Sequence, residues 1–135
     1  MRRIIVIIIS LISVSFAVSA QDVKTASYQT IAHIKSDGTI QNSSYKTIGH
    51  FKSDGTVQDA SYKTIAHLRG DGAVQDRSYH TVGYIKRDGT IQDSSYHTIG
   101  HIKDDGTVQD ASYHTIDHAN GIPIQWAAYY FFFSD

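Results

Sequence analysis

Histidine recurs in this sequence at a fixed step. His33, His50, His67, His101 and His118 lie on a 17-residue spacing, and Tyr84 fills the vacant place. His80, His97 and His114 stand four residues before Tyr84, His101 and His118. A symmetric ring of imidazoles is chemically suited to a transition metal or an anion. Tyr84 argues against the metal, because a phenol is a poor replacement ligand for zinc or copper. His and Tyr do share an apolar body with a polar tip, which suits a rim or a half-buried sheet face. The six positions are therefore read as repeat-equivalent binding positions, with no metal and no cofactor assigned.

Aspartate recurs on the same step. Asp-Gly pairs begin at Asp37, Asp54, Asp71, Asp88 and Asp105, and a second carboxylate follows at Asp59, Asp76, Asp93 and Asp110, with Asn42 in the first copy. A calcium loop places oxygen ligands at alternate positions over about 12 residues, and D-G-T-V-Q-D does not. A catalytic nucleophile needs a base and an orienting group at one unique site. Here Ser, His and Asp recur in every copy, and no G-x-S-x-G, H-E-x-x-H or phosphate loop occurs. A non-enzymatic binding or interaction module is the expected role. Carbohydrate or cell-wall glycan is one candidate ligand, since Tyr faces stack on sugars and Asp, Asn and Gln accept from hydroxyls. Weak repeated sites of this kind gain from multivalency. A self-assembling, fibre-type subunit is the other alternative, opposed by the Lys and Asp near every turn.

Composition narrows the classes. The 135-residue chain has no Cys, which excludes disulfides, thiolate zinc, iron–sulfur clusters and a lipoprotein anchor. A formal net charge of −1 lacks the basic footprint of a nucleic-acid binder. Residues 1–20 read as a secretory signal peptide: Arg2 and Arg3, an apolar run from Ile4 to Val18, and Val18-Ser19-Ala20 before a cut at Gln21. The expected product is an exported, soluble, periplasmic or extracellular chain of residues 21–135, with no transmembrane span after processing.

The elements that position these residues follow from the same period. Tyr28, Tyr45, Tyr62, Tyr79, Tyr96 and Tyr113 mark copies of S-Y-x-T-I-G/A-H-I-K-x-D-G-T-V-Q-D-x. Five are complete, over about 28–112, and a partial sixth covers 113–118. Each reads as a β-hairpin, because the Tyr/Thr/Ile arm suits a pleated surface and Asp-Gly is a strong turn signal. Alternation is imperfect: Tyr28, Thr30, Ala32 and Ile34 share one parity, and Ile31, His33 and Lys35 the other. A β-bulge at the small residue (Ala32, Gly49, Ala66, Gly83, Gly100) would bring both aliphatics to one face; a sheet packed on both sides is the alternative.

Hairpins of this size are not stable alone. Closure about a pseudo-five-fold axis removes the exposed edges, and an open β-solenoid is the alternative. The tail, residues 122–133, is apolar at both parities and reads as a strand buried on both faces, inside the ring or across its base. The rival reading is an exposed strand for a partner, a lipid surface or an oligomer.

Two segments, Thr47-Ile48-Gly49-His50-Phe51 and Asp54-Gly55-Thr56-Val57-Gln58-Asp59, together with the aromatic C-terminus, resemble the five-fold β-flower proteins. The resemblance spans residues 22–133. It implies an exported all-β protein of consecutive short hairpins around a five-fold pseudo-axis, and it carries no activity to transfer. The chain departs from that pattern with Ser-Tyr where Ser-Gly is frequent and with His where Tyr is common.

Overall fold

A computed structural model describes residues 20–134. The expected signal peptide, apart from Ala20, lies outside the described residues. Twelve antiparallel strands close into one barrel. β1 (Ala20–Thr25) comes first. Six arms follow: β2 (Thr30–Lys35), β4 (Thr47–Phe51), β6 (Thr64–Leu68), β8 (Thr81–Ile85), β10 (Thr98–Ile102) and β12 (Thr115–His118). They alternate with five short returns: β3 (Thr39–Asn42), β5 (Thr56–Asp59), β7 (Ala73–Asp76), β9 (Thr90–Asp93) and β11 (Thr107–Asp110). The wall is closed, so the open solenoid is ruled out.

Five continuous hairpins account for ten of the twelve strands. Five arm–return pairs are joined by Asp-Gly turns. A sixth is assembled from the two ends of the chain, with β12 pairing with β1 through Lys24↔His118 and Thr25↔Asp117. That register matches His50↔Gln58 and Gly49↔Asp59 in a continuous hairpin. The ring therefore presents six stations, five from continuous hairpins and one closed by the two chain ends.

Both ends of every hairpin use the same loop geometry. At one end, the Gly55 N–H donates to the Lys52 carbonyl and the Lys52 N–H to Thr56, enclosing three residues. The last of the three is Gly55, with φ +92°, the left-handed slot of a three-residue hairpin loop. The Gly55 carbonyl then accepts from the Leu68 N–H, 2.7 Å away. A Cβ at Gly55 would collide with the Leu68 backbone, so the residue is required for its φ and for this close approach. At the other end, the Tyr62 N–H donates to the Asp59 carbonyl and the Asp59 N–H to Lys63. Here the left-handed slot holds Tyr62, φ 68°, and all six repeat tyrosines share this conformation, with φ between 66° and 70°.

An Asx turn braces five of the six tyrosine loops; in the first, the Thr25 hydroxyl accepts from the Gln29 amide instead. Asp93 Oδ1 accepts from the Ser95 and His97 amides at 2.8 and 3.0 Å. Asn42 makes the same pair of bonds at 2.9 and 3.0 Å. Backbone N–H donors hold Asp76, Asp93 and Asp110 below their ordinary carboxyl value, chiefly those of His80, His97 and His114. At the other end, the Thr56, Thr90 and Thr107 amides do the same to Asp54, Asp88 and Asp105. A carboxyl whose folded pKa is depressed stabilises the fold above its unfolded value, near 3.8, and loses that contribution as pH falls through the folded value. The melting temperature is thus expected to be flat above about pH 5 and to fall below about pH 4. Because Asn42 already makes the same turn, the triple variant Asp76→Asn/Asp93→Asn/Asp110→Asn should melt within a few degrees of the parent at pH 7 and fall less steeply in acid. Circular-dichroism melts across pH check this, and a large loss at pH 7 would mean that charge, not turn geometry, holds these loops.

A bulge lies in every arm, one residue earlier than expected. Pairing jumps from Ile40↔Gly49 to Gln41↔Thr47, which leaves Ile48 unpaired. The bulge turns the first aliphatic toward the mouth of the lumen, where Ile99 packs against the core and Ile48, Ile65 and Val82 line the cavity beside the plug. Ile48 is 42% exposed, and Ile31, Ile65, Val82 and Ile116 are comparably open, forming an apolar rim at the tyrosine end. Inside the barrel, the small residues (Ala32, Gly49, Ala66, Gly83, Gly100) share the wall with Ile34, Phe51, Ile85 and Ile102, and the returns contribute Val23, Ile40, Val57, Val74, Ile91 and Val108.

The tail is not a strand. It forms a short helix, α1 (Ile124–Ala128), continued by a π-helical turn, Tyr129–Phe133, through the lumen. The reason is hydrogen bonding. A closed wall has no free edge for another strand, and a segment inside it must satisfy its own backbone. Ten residues of helix span about 15 Å, close to the length of the four- and five-residue strands around them. Trp126 stacks on Phe51 with centroids 5.1 Å apart, and Tyr129 meets Phe51 edge-on. A Cβ at Gly83 would meet the Phe133 ring, and one at Gly100 the Phe132 ring, so the small wall residues make room for the plug. In the sixth arm that small position is Asp117, whose carboxyl burial pushes up. Burial and the Asp117 charge together push up the Tyr130 phenol.

Candidate functional site

The six sequence-selected side chains lie on the outer wall, at opposite parity to the buried small residues and aliphatics. They share one level but do not converge. His33 pairs across the strands with Asp22 and Gln41, and His50 with Thr39 and Gln58. Tyr84 sits between Ala73 and Gln92. Among the described residues, no group of three His, Asp, Glu or Cys side chains is arranged to hold a metal ion.

Each of the six is instead covered by the tyrosine of the next loop. Tyr45 stacks on His33, Tyr62 on His50, Tyr79 on His67, Tyr96 on Tyr84 and Tyr113 on His101, with centroids 4.1 to 4.6 Å apart. Tyr28 on His118 closes the belt across the chain ends. These tyrosines remain 64–67% exposed, so each ring keeps one face in solvent.

That arrangement has an energetic signature. A side chain in the left-handed region costs roughly 1–2 kcal/mol, a cost glycine avoids. An aromatic stack returns about 0.5–1.5 kcal/mol. The two nearly cancel, so stability alone gives little reason to place Tyr rather than Gly in six equivalent loops. Strained conformations held against such an alternative cluster at functional sites. Sequence reasoning named Tyr faces as sugar-stacking surfaces but placed these tyrosines in strands and missed their loop conformation and their stacking partners. The signal was present: Asp-x-Ser-Tyr has the length and Asx bracing of a three-residue loop, with Tyr in the place that Gly fills at the other end.

Polar groups around the stacks complete the geometry. Asp22 stands where the other returns carry Thr or Ala, and its Oδ1 lies 2.8 Å from Nδ1 of the buried His33. Elsewhere the protein leaves polar atoms unpaired: Nε2 of His50, His67 and His101, and Oε1 of Gln75, are enclosed without a hydrogen-bond partner. An unmade bond at a buried polar atom costs about 1–3 kcal/mol.

Two grooves open beside the belt. One, of about 290 Å³, is lined by Asp54, Gly55, His67, Leu68, Arg69, Gly70, Gln75 and Tyr79. The other, about 870 Å³, has Asp71, Gly72, Tyr84, Ile85, Lys86, Arg87, Gln92 and Tyr96, with Arg69, Gly70, Ile124 and Gln125 added. The first eight residues of each correspond one to one at a shift of 17, so the two adjacent stations share one kind of groove. A third cavity, at the tyrosine end of the lumen, is bounded by Ile48, Ile65, Val82 and the rings of Tyr130, Phe132 and Phe133.

No helix among the described residues is long and apolar enough to cross a membrane. The family model described as 5-fold beta-flower protein matches residues 20–134. No curated protein and no solved structure matches the chain.

Proposed function

The chain belongs to the 5-fold β-flower proteins, and from that fold we propose that it is an exported, non-enzymatic glycan-binding module that works through up to six equivalent grooves on its outer wall. The observation that carries this reading is the exposed tyrosine held in glycine's conformation at every station. A sugar ring lays its apolar C–H face on the free face of the tyrosine, and its hydroxyls meet the flanking Gln, the imidazole and the Asp-Gly turn. Most of the polar groups at the site recur around the wall, as suits repeated weak binding and not a single reaction centre. Six such sites at fixed spacing convert weak contacts into avidity for a polymer or a decorated surface. Export fits the same reading, because a cut between Ala20 and Gln21 removes only the Ala20↔Lys35 pair of β1 with β2 and leaves the other four, and both pairs with β12, in place.

A glycan array probed with the residue 21–135 chain tests the proposal. Binding to a subset of glycans is expected, with far stronger retention on dense than on sparse display. An array silent at both densities would end the reading.

A further inference from the structure

The six stations are not chemically identical, and the fourth departs most. It carries Tyr84 where the others carry His, so its belt contact is a phenol on a phenol, 4.6 Å between centroids. It also carries Arg87 at the turn position that holds Ser36, Ser53, Gly70 and Asp104 in the other complete copies. Three cations, Arg69, Lys86 and Arg87, line its groove against a single carboxylate, Asp71. The neighbouring groove at His67 has one of each, Arg69 and Asp54. Arg69 leans on Asp71 at a loose 3.7 Å, with both side chains more than half exposed. Lys86 and Arg87 form no salt bridge among the described residues. Asp88 of the same turn feels the Lys86 charge, yet cationic heads still outnumber carboxylates beside the exposed aromatic face, which suits a ligand that is anionic at one end and a flat apolar ring at the other.

We propose that the fourth groove takes an acidic sugar, with the pyranose ring on Tyr96 and its carboxylate on Arg87 and Lys86. This rests on the glycan reading above and makes one station selective among six. The guanidinium fork is the right partner because it meets a carboxylate with two parallel hydrogen bonds. The groove is also about three times the volume of its neighbour, enough for more than one sugar residue.

Titration calorimetry with trigalacturonate and with neutral galactotriose tests this on the residue 21–135 chain. The acid is expected to bind one site per chain about tenfold more tightly at low salt, a difference of about 1.4 kcal/mol. About 0.5 M sodium chloride should remove that advantage. Arg87→Ser, which installs the residue found in the first two copies, should abolish it, bringing the acid to the affinity of the neutral sugar for the same variant. Ser53→Arg should create a second acid-preferring site at His50 and Tyr62. An acid preference that survives Arg87→Ser would overturn the assignment, as would inorganic phosphate binding equally well to the parent and to Tyr96→Gly, the mark of a simple anion patch. If the neutral sugar binds and the acid is not preferred, this proposal falls and the multivalent reading stands. If neither binds, both fall.

Discussion

A chain ended after Gly121 is expected to show no cooperative unfolding transition at all. The deletion removes Ile124, Trp126, Tyr129, Tyr130, Phe131, Phe132 and Phe133, all packed against the barrel core. Each buried large side chain contributes ~1.5–3 kcal/mol. Most of these are only half-buried, so the loss is on the order of 10 kcal/mol, comparable with the whole stability of a small domain. The strands cannot compensate by collapsing, because twelve strands with fixed registers enclose a fixed lumen. The single variant Trp126→Ala separates plug packing from chain length. It removes the stack on Phe51 and should cost about 3 kcal/mol, at the lower end for an aromatic truncation. Urea melts followed by far- and near-ultraviolet circular dichroism measure both. A sharp transition in the shortened chain would show that the wall stands without its plug.

Replacing Tyr45, Tyr62 and Tyr79 together with Gly is expected to leave stability within about 1 kcal/mol per site and to reduce avidity for a dense glycan surface by about a hundredfold or more. The first expectation follows from the balance at each loop: glycine relieves the left-handed backbone and forfeits the stack on His33, His50 or His67. The second follows from losing half of six linked contacts. The matching Ala variants serve as the control. Alanine keeps the strain and loses the stack, so the triple Ala chain should be the less stable of the two while binding equally poorly. Surface plasmon resonance and melting curves on both sets give the answer. Intact avidity in the Gly chain, or a large loss of its stability, would assign the tyrosines to the scaffold.

Much of the wall was legible in the sequence because its information is local. Asp-Gly turns, β-branched arms and the 17-residue step are each contained within one copy, and repetition makes them audible. Features that depend on cross-strand partners were not legible. The bulge at Ile48 is set by which residue of β4 faces Gln41, a relation that no single strand encodes. The sixth station was hidden because its return strand is β1, where Lys24 and Thr25 stand in place of Gln and Asp, about ninety residues from the arm it completes. The tail misled for a physical reason. A segment apolar on all sides fits a doubly covered strand and a lumen helix equally well, and only closure of the wall decides between them. The His and Tyr84 positions were found from their period. Their tyrosine partners were not, because a bulky ring in the left-handed region runs against the usual preference.

The seam between β12 and β1 governs how the molecule comes into being. β1 and β12 lie at opposite ends of the barrel's sequence, so a folding chain holds an unfinished sheet with two raw edges until they meet. Final commitment waits for His118 to reach Lys24. An ordinary linear array can fray from its termini one unit at a time. This ring fastens its termini to each other, and opening that one clasp exposes both edges and the plug together.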